Sequence, residues 1–240
     1  MSDETTESTE VQVEKPVRSK YKMPNMGFVL CQRDFHHEID AIRRFIETVT
    51  DSFKRDFHSY ARYRSKEAKD APEHVQQWIG EDLAEEHHFM MVHFPDFARQ
   101  NTFVSTFVLT EDVMLDFARE AGEAAGDTTE PEGRRVDGQK VFGIAAAKAF
   151  FEHLAIPFPA GPEWDTIIKY RAIRDAFSHC RGNLRRARKA DEIREFAASD
   201  SKLTIDELDR VRITDEFLTE VLDTVEKFMG DLFRNVREKF

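Results

Sequence analysis

A helical apolar pattern that almost nothing interrupts constrains the fold of this chain most strongly. From about Met26 to Lys69, large apolar residues recur three and four positions apart, and neither Gly nor Pro occurs between Phe28 and Ala71. The apolar positions are Phe35, Ile39, Ile42, Phe45, Ile46, Val49, Phe53 and Phe57. This spacing is the period of one face of an α-helix. It predicts either one long helix or two helices with a kink near residues 48–52.

The remainder of the chain is also rich in helix-forming residues. Its 240 residues include only 10 Gly and 8 Pro, and 40% are hydrophobic, with Phe contributing 21. We therefore predict an all-α fold with an aromatic-rich core. The further helices are expected at about residues 73–92, 95–121, 141–154, 163–182, 191–198 and 215–240. The segment up to residue 121 is apolar on more than one face, so we expect it at the centre of the domain.

Three breaks are predicted between these helices. Pro95 should end one helix and start the next, because proline removes a backbone donor and crowds the preceding turn. Residues 122–138 read as a loop rich in Gly, Asp, Thr, Glu and Pro. Residues 202–213 alternate apolar and polar side chains around a turn, which favours a small β-hairpin. Thr214 or Asp215 should cap the last helix.

Composition sets the domain organisation and excludes several classes of protein. The polar segment Met1–Pro24 is predicted to be a disordered tail, and residues 25–240 to form a single helical domain. A net charge of −11 argues against nucleic-acid binding by the whole surface. Cys31 and Cys180 imply no disulfide framework, and no apolar run is long enough for a membrane span. We therefore expect a cytoplasmic protein with no metal and no cofactor.

The segment Tyr170–Asn183 carries the one pattern that suggests chemistry. Its apolar stripe lies at residues Tyr170, Ile173, Phe177, Cys180 and Leu184. Off this stripe, Arg174 and His179 are separated by four residues, and Asp175 lies one turn before His179, so those two side chains could meet. The basic residues that follow are Arg181, Arg185, Arg186, Arg188 and Lys189. Cys180 is expected to be a buried small hydrophobe.

This pattern resembles the Arg-x4-His signature of the HEPN superfamily, whose members are helical, usually dimeric, RNA-cleaving domains. Arg174, the polar Asp175 and His179 occupy the motif positions, and Gly182 matches a glycine common after the histidine. The resemblance implies a HEPN-like helical bundle over residues 25–240. It also implies a metal-independent endoribonuclease, acting as a toxin or in antiviral (phage) defence. The expected partners are RNA, a second copy of the chain and an antitoxin or other regulatory protein.

The residue types suit RNA cleavage, because RNA supplies its own nucleophile in the 2′-hydroxyl. Cleavage then needs a group that moves protons and a cation that holds charge on the phosphate. Imidazole titrates near neutral pH, and guanidinium binds phosphate oxygens in a bidentate manner. We assign Arg174, His179 and Asp175 to catalysis. The basic residues Arg181, Arg185, Arg186, Arg188 and Lys189 are assigned to RNA binding.

Helix geometry poses a difficulty for this assignment. Positions five apart point about 140° away from each other on an ideal helix, so Arg174 and His179 of one chain do not converge. Either the helix ends near His179, or two copies share a cleft as the HEPN resemblance implies. The competing interpretations are a plain ion-paired helix end and a non-catalytic HEPN-like module for dimerisation or RNA binding.

Overall fold

The computed structural model describes residues 26–133, 135–136 and 138–240, so the predicted tail at Met1–Pro24 lies outside the described residues. The helices are α1 (Met26–Ala68), α2 (Glu73–His88), α3 (Phe94–Ala125), α4 (Ile144–His153), α5 (Pro162–Cys180), α6 (Ala190–Ser199) and α7 (Asp215–Lys239). The strands are β1 (Arg135–Val136), β2 (Gln139–Lys140), β3 (Leu203–Ile205) and β4 (Val211–Ile213), paired as two antiparallel hairpins. The predicted all-α fold with a small hairpin at 202–213 is confirmed.

The first helix is unbroken over 43 residues, so the kinked alternative does not occur. Only its first half packs into the body, through Phe28, Phe35, Ile39 and Ile46. In its second half the one buried residue is Arg64, and α2 likewise buries only Ile79. Residues 53–68 of α1 and the whole of α2 therefore form a two-helix arm that projects from the body.

Pro95 does not interrupt the helical backbone, so the predicted break was wrong, although α3 does begin beside it with Pro95 in its first turn. A π-helical turn, Phe89–His93, joins α2 to α3, and His88, His93 and Phe94 all keep right-handed helical backbone angles. The Phe94 N–H donates to the Phe89 carbonyl, five residues back. This wider turn changes the local backbone spacing and lets the helix pass through a residue that cannot donate a hydrogen bond.

The central position predicted for α3 is confirmed, because α3 packs against α1, α4, α5 and α7. Its buried Thr102, Thr106 and Thr110 donate hydrogen bonds to carbonyls four residues back, at 2.7–2.9 Å. Those bonds satisfy the three hydroxyls inside the core. Thr214 caps α7 by accepting a hydrogen bond from the Phe217 N–H at 3.2 Å, which settles the choice between Thr214 and Asp215.

The loop predicted at 122–138 begins four residues later than expected, and the β1–β2 hairpin at its end extends past it to Lys140. Gly122 lies in the last turn of α3, where a side chain would meet the Asp127 carbonyl at 2.8 Å and the Phe150 ring at 3.0 Å. The glycine is thus required by close packing inside the helix. The helix ends at Gly126, whose φ is 75°. None of the described helices is both long and apolar enough to cross a membrane.

Candidate functional site

Helix α5 is held in place by aromatic packing on α3 and α7. The Phe103 ring of α3 lies 5.6 Å from Phe177, 6.3 Å from Tyr170 and 6.0 Å from Phe217, centre to centre. Tyr170 is fully buried, and burial raises its pKa to about 12. This phenol is inaccessible to a substrate and stays neutral, so it belongs to the core and not to a proton-transfer site.

The helix ends directly after His179 and Cys180, in a left-handed turn. Arg181 has a φ of 53° and Gly182 a φ of 75°. The Arg181 N–H donates to the Phe177 carbonyl at 3.1 Å, which is the pairing of an αL C-cap, and the Gly182 N–H donates to the Ala176 carbonyl at 2.9 Å. A side chain at Gly182 would lie 3.1 Å from the Phe177 ring. The turn sends the basic segment 181–189 back across the end of α5, mostly as a turn and a short 3₁₀ helix (Leu184–Arg186).

Arg174 points towards α3 and is engaged within its own chain. Its Nη2 lies 3.3 Å from Glu111 Oε2, and its Nη1 lies 3.3 Å from Asp175 Oδ1. The side chain is only 19% exposed, and its buried Nε has no hydrogen-bond partner among the described residues. A methyl group at Gly143 would overlap the Glu111 carboxylate, so that carboxylate is packed against the backbone at the start of α4. The guanidinium is therefore held at the junction of α3, α4 and α5.

Glu111 lies within α3, which continues to Ala125. Helix α3 packs against α5, and the ion pair of Glu111 with Arg174 is a direct contact between the two helices. The carboxylate partner of Arg174 thus comes from 63 residues earlier in the chain.

His179 points elsewhere, into a groove that we name the α5 groove, with a volume of about 550 Å³. The residues that line it are Ile168, Arg171, Ala172, Asp175, Ala176, His179, Cys180, Arg186, Ala187, Arg188 and Lys189. One wall is a face of α5, and the other is the basic segment after the left-handed turn. Cys180 is half-buried and lines this groove, so its prediction as a fully buried residue was wrong.

The α5 groove brings together some of the predicted site residues and leaves others out. His179, Asp175, Arg186, Arg188 and Lys189 share it, and Arg174, Arg181 and Arg185 do not. Asp175 pairs with Arg174 and forms no ion pair or hydrogen bond with His179, so the expected orientation of the imidazole by Asp175 is absent here. Arg171 is a groove residue that the sequence reasoning missed. Its position, one turn before Asp175 and two before His179, was the available signal.

The basic residues of segment 181–189 differ in their partners. All five predicted RNA-binding residues are exposed. Arg185 lies 3.7 Å from Asp209, and Lys189 lies 2.9 Å from Glu192. Arg181, Arg186 and Arg188 have no carboxylate partner within the described part of the chain, so they are available to an anion from solution.

Among the described residues, no three His, Cys, Asp or Glu side chains converge in a way that would hold a metal ion. Comparison of the chain with protein-family models, with curated proteins and with solved structures finds no match in any of the three. The function is therefore inferred from the residues of the α5 groove.

Proposed function

We propose that this protein is a metal-independent endoribonuclease of the HEPN type. The observation that carries the proposal is the α5 groove, in which the exposed His179 imidazole faces Arg186, Arg188 and Lys189. An imidazole, the side chain used most often for catalytic proton transfer, thus lies beside Arg186 and Arg188, which have no carboxylate partner among the described residues and can bind phosphate. An otherwise acidic chain, of net charge −11, concentrates positive charge where RNA would have to bind.

The proposed reaction is an intramolecular transesterification of the RNA strand. His179 accepts the proton of a 2′-hydroxyl, and that oxygen attacks the adjacent phosphorus. The bond from phosphorus to the 5′ oxygen breaks, leaving a 2′,3′-cyclic phosphate and a 5′-hydroxyl. The leaving 5′ oxygen takes its proton from solvent water. We assign stabilisation of the phosphorane charge to the partner subunit's Arg174.

A direct test is to incubate the purified chain with RNA in excess EDTA and to identify the product ends by mass spectrometry. The expected products carry 2′,3′-cyclic phosphate or its hydrolysis product, at a rate that EDTA does not change. Loss of cleavage in EDTA and its recovery with Mg²⁺ would overturn the proposal.

In a second candidate function, the protein has the same fold but catalyses no reaction. The two ion pairs of Arg174 and its enclosed Nε favour a structural role for this residue. A non-catalytic module for dimerisation or RNA binding would need no more from Arg174 than that. For such a module, neither Arg174→Ala nor His179→Ala would change RNA turnover, because there would be none.

A homodimer that shares its cleft makes a sharp complementation prediction. Arg174 and His179 of one chain face different neighbours, so we propose that each site takes Arg174 from one chain and His179 from the other. Mixing inactive Arg174→Ala protein with inactive His179→Ala protein should then restore about one quarter of wild-type cleavage after subunit exchange. Sedimentation should show a dimer at micromolar concentration. A fully active monomer, or no recovery in exchanged mixtures, would contradict a shared site.

The unpaired cations of the α5 groove should govern affinity more than rate. The double variant Arg186→Gln/Arg188→Gln should lower the log–log salt dependence of single-stranded RNA binding by about 1.4, since each lost phosphate contact removes about 0.7. The cleavage rate at saturating RNA should change much less. The matched control is Arg237→Gln/Lys239→Gln, which removes the same charge from exposed positions at the end of α7. If both variants changed RNA affinity equally, Arg186 and Arg188 would act only through the overall charge of the protein.

A further inference from the structure

The arm formed by residues 53–68 and α2 carries a second basic surface. Arg55, His58, Arg62 and Lys66 follow one another at intervals of three, four and four residues, so they lie on one face of α1. All four are exposed. From Arg55 to Lys66 the only acidic residue is Asp56, which lies about 100° around the helix from Arg55. We call these four residues the arm stripe.

The arm stripe faces away from the acidic residues of α2. The side of α1 that meets α2 is marked by Phe57, whose ring lies 5.0 Å from His87, and by Tyr60 and Arg64, which both bond to Asp82. These positions lie on the opposite side of the helix from Arg55, Arg62 and Lys66. Asp82 of α2 and Glu67 of α1 both pair with Arg64 on this side, which leaves the outer face of α1 positive.

The cations of the arm stripe have no carboxylate partners within the described residues. The Arg55 guanidinium donates to the Asp51 backbone carbonyl at 3.3 Å. Arg62 donates to the His58 carbonyl at 3.3 Å and to the Ser59 hydroxyl at 3.5 Å. Lys66 takes part in no ion pair there. In a chain with 46 acidic residues against 35 Lys and Arg, such a set of unneutralised cations on one exposed face points to an anionic partner.

The base of the arm and the basic segment 181–189 lie at the same end of the body. The Phe53 ring stacks on Phe94 at the start of α3, 5.6 Å away. Two residues later in the same helix, Asp96 pairs with Arg212 of the β3–β4 hairpin. That hairpin in turn bonds to the turn after α5, since the Val211 N–H donates to the Gly182 carbonyl at 2.9 Å. A single extended polyanion could therefore contact both basic surfaces.

We propose that the arm stripe is a second contact surface for the RNA substrate, and that it holds a single-stranded segment of the same strand that enters the α5 groove. It spans about 16 Å along α1, enough for several nucleotides. Tyr63 lies beside it and is 65% exposed, so its ring offers a stacking surface for a base. This inference rests on the proposed function for the identity of the anion.

An acidic membrane is the main competitor, and the side chains of the stripe argue against it. A helix that lies on a bilayer buries an apolar face beneath its basic residues. On the outer face of the arm, the residues between the cations are Ser59, Ala61 and Ser65, none of them a large apolar side chain. The apolar face of this part of α1 is turned to α2 and is unavailable to lipid.

The test measures binding in the full chain with His179→Ala as the background, so that no RNA is cut. The probe is a fluorescein-labelled single-stranded oligoribonucleotide of about 20 nucleotides, titrated by anisotropy over a range of salt. Arg62→Gln/Lys66→Gln should weaken binding roughly tenfold at 0.15 M salt and lower the salt slope by about 1.4. Tyr63→Ala should weaken binding at least about threefold. Unchanged circular dichroism and melting temperature verify that each variant is folded.

The control is again Arg237→Gln/Lys239→Gln, which should leave affinity within about twofold. If the arm and control variants behave alike, the arm proposal fails, even where wild-type cleavage proceeds normally. Binding of phosphatidylserine vesicles that depends on Arg62 and Lys66, without an effect on RNA, would also overturn it and assign the arm to a membrane. Conversely, the wild-type protein could fail to cleave RNA while its RNA binding still depends on the arm stripe. That result would contradict the nuclease proposal and support the arm proposal.

Discussion

Replacing His179 by alanine is expected to lower the rate of RNA cleavage at saturating RNA at least about 100-fold, the scale on which proton-transfer groups contribute. The side chain is exposed, and no hydrogen bond or ion pair to it occurs in the described part of the chain. Its removal should therefore leave the stability of the fold and the affinity for RNA nearly unchanged. Single-turnover kinetics at saturating RNA, together with anisotropy for affinity, separate these effects.

The matched control is His37→Ala, which removes another exposed histidine, from α1. It should cleave RNA at the wild-type rate. A fall of less than about threefold for His179→Ala, in a folded protein that still binds RNA, would exclude His179 from the chemistry. If His37→Ala lowered the cleavage rate equally, the loss would reflect removal of any exposed histidine and not the position of His179.

The Phe103→Ala variant should show the largest loss of stability. Phe103 is 0% exposed, and its ring contacts Phe107 in α3, Tyr170 and Phe177 in α5 and Phe217 in α7. Deleting a buried phenyl ring costs about 3–5 kcal/mol of unfolding free energy, through lost burial and the cavity left behind. In a chain of this size that corresponds to a fall of roughly 6–20 °C in melting temperature.

Phe97→Ala provides the comparison within the same helix, because Phe97 is 67% exposed. It should change the unfolding free energy by less than about 0.5–1 kcal/mol. Denaturant titrations followed by circular dichroism measure both variants. Because Phe103 fixes the packing of α5, its variant should also lose cleavage before it unfolds globally. If Phe103→Ala and Phe97→Ala lowered the unfolding free energy equally, the aromatic cluster around Phe103 would not be what holds α5 in place.

Features that depend on neighbours along the chain were readable from the sequence. The helical pattern of residues 26–69, the small hairpin near residues 202–213 and a helix cap at Thr214 or Asp215 all follow from residues a few positions apart. The central place of α3 was likewise visible, because a helix that is apolar on more than one face has to be surrounded. The exposure of the basic residues after Gly182 also followed, since Leu184 alone continues the apolar stripe.

Predictions from neighbouring residues were wrong where tertiary packing allowed a different local structure. Pro95 predicts a helix break, and the π turn before it allows the helix to continue. Gly122 predicts a loop, and the close approach of Phe150 gives the glycine a reason to lie inside α3. Cys180 continues the apolar stripe in sequence, but α5 ends there, so the side chain is left at the edge of a groove.

The sequence by itself determined the helical class of this protein and the placement of Arg174, Asp175 and His179 on one helix, because helix periodicity acts over three or four residues. Only the tertiary structure decided what those side chains meet. Arg174 pairs with Glu111, 63 residues away, because α5 packs on α3. His179 faces Arg186 and Arg188 because the left-handed turn at Arg181 folds the chain back. Such contacts depend on how helices pack, which no local spacing encodes.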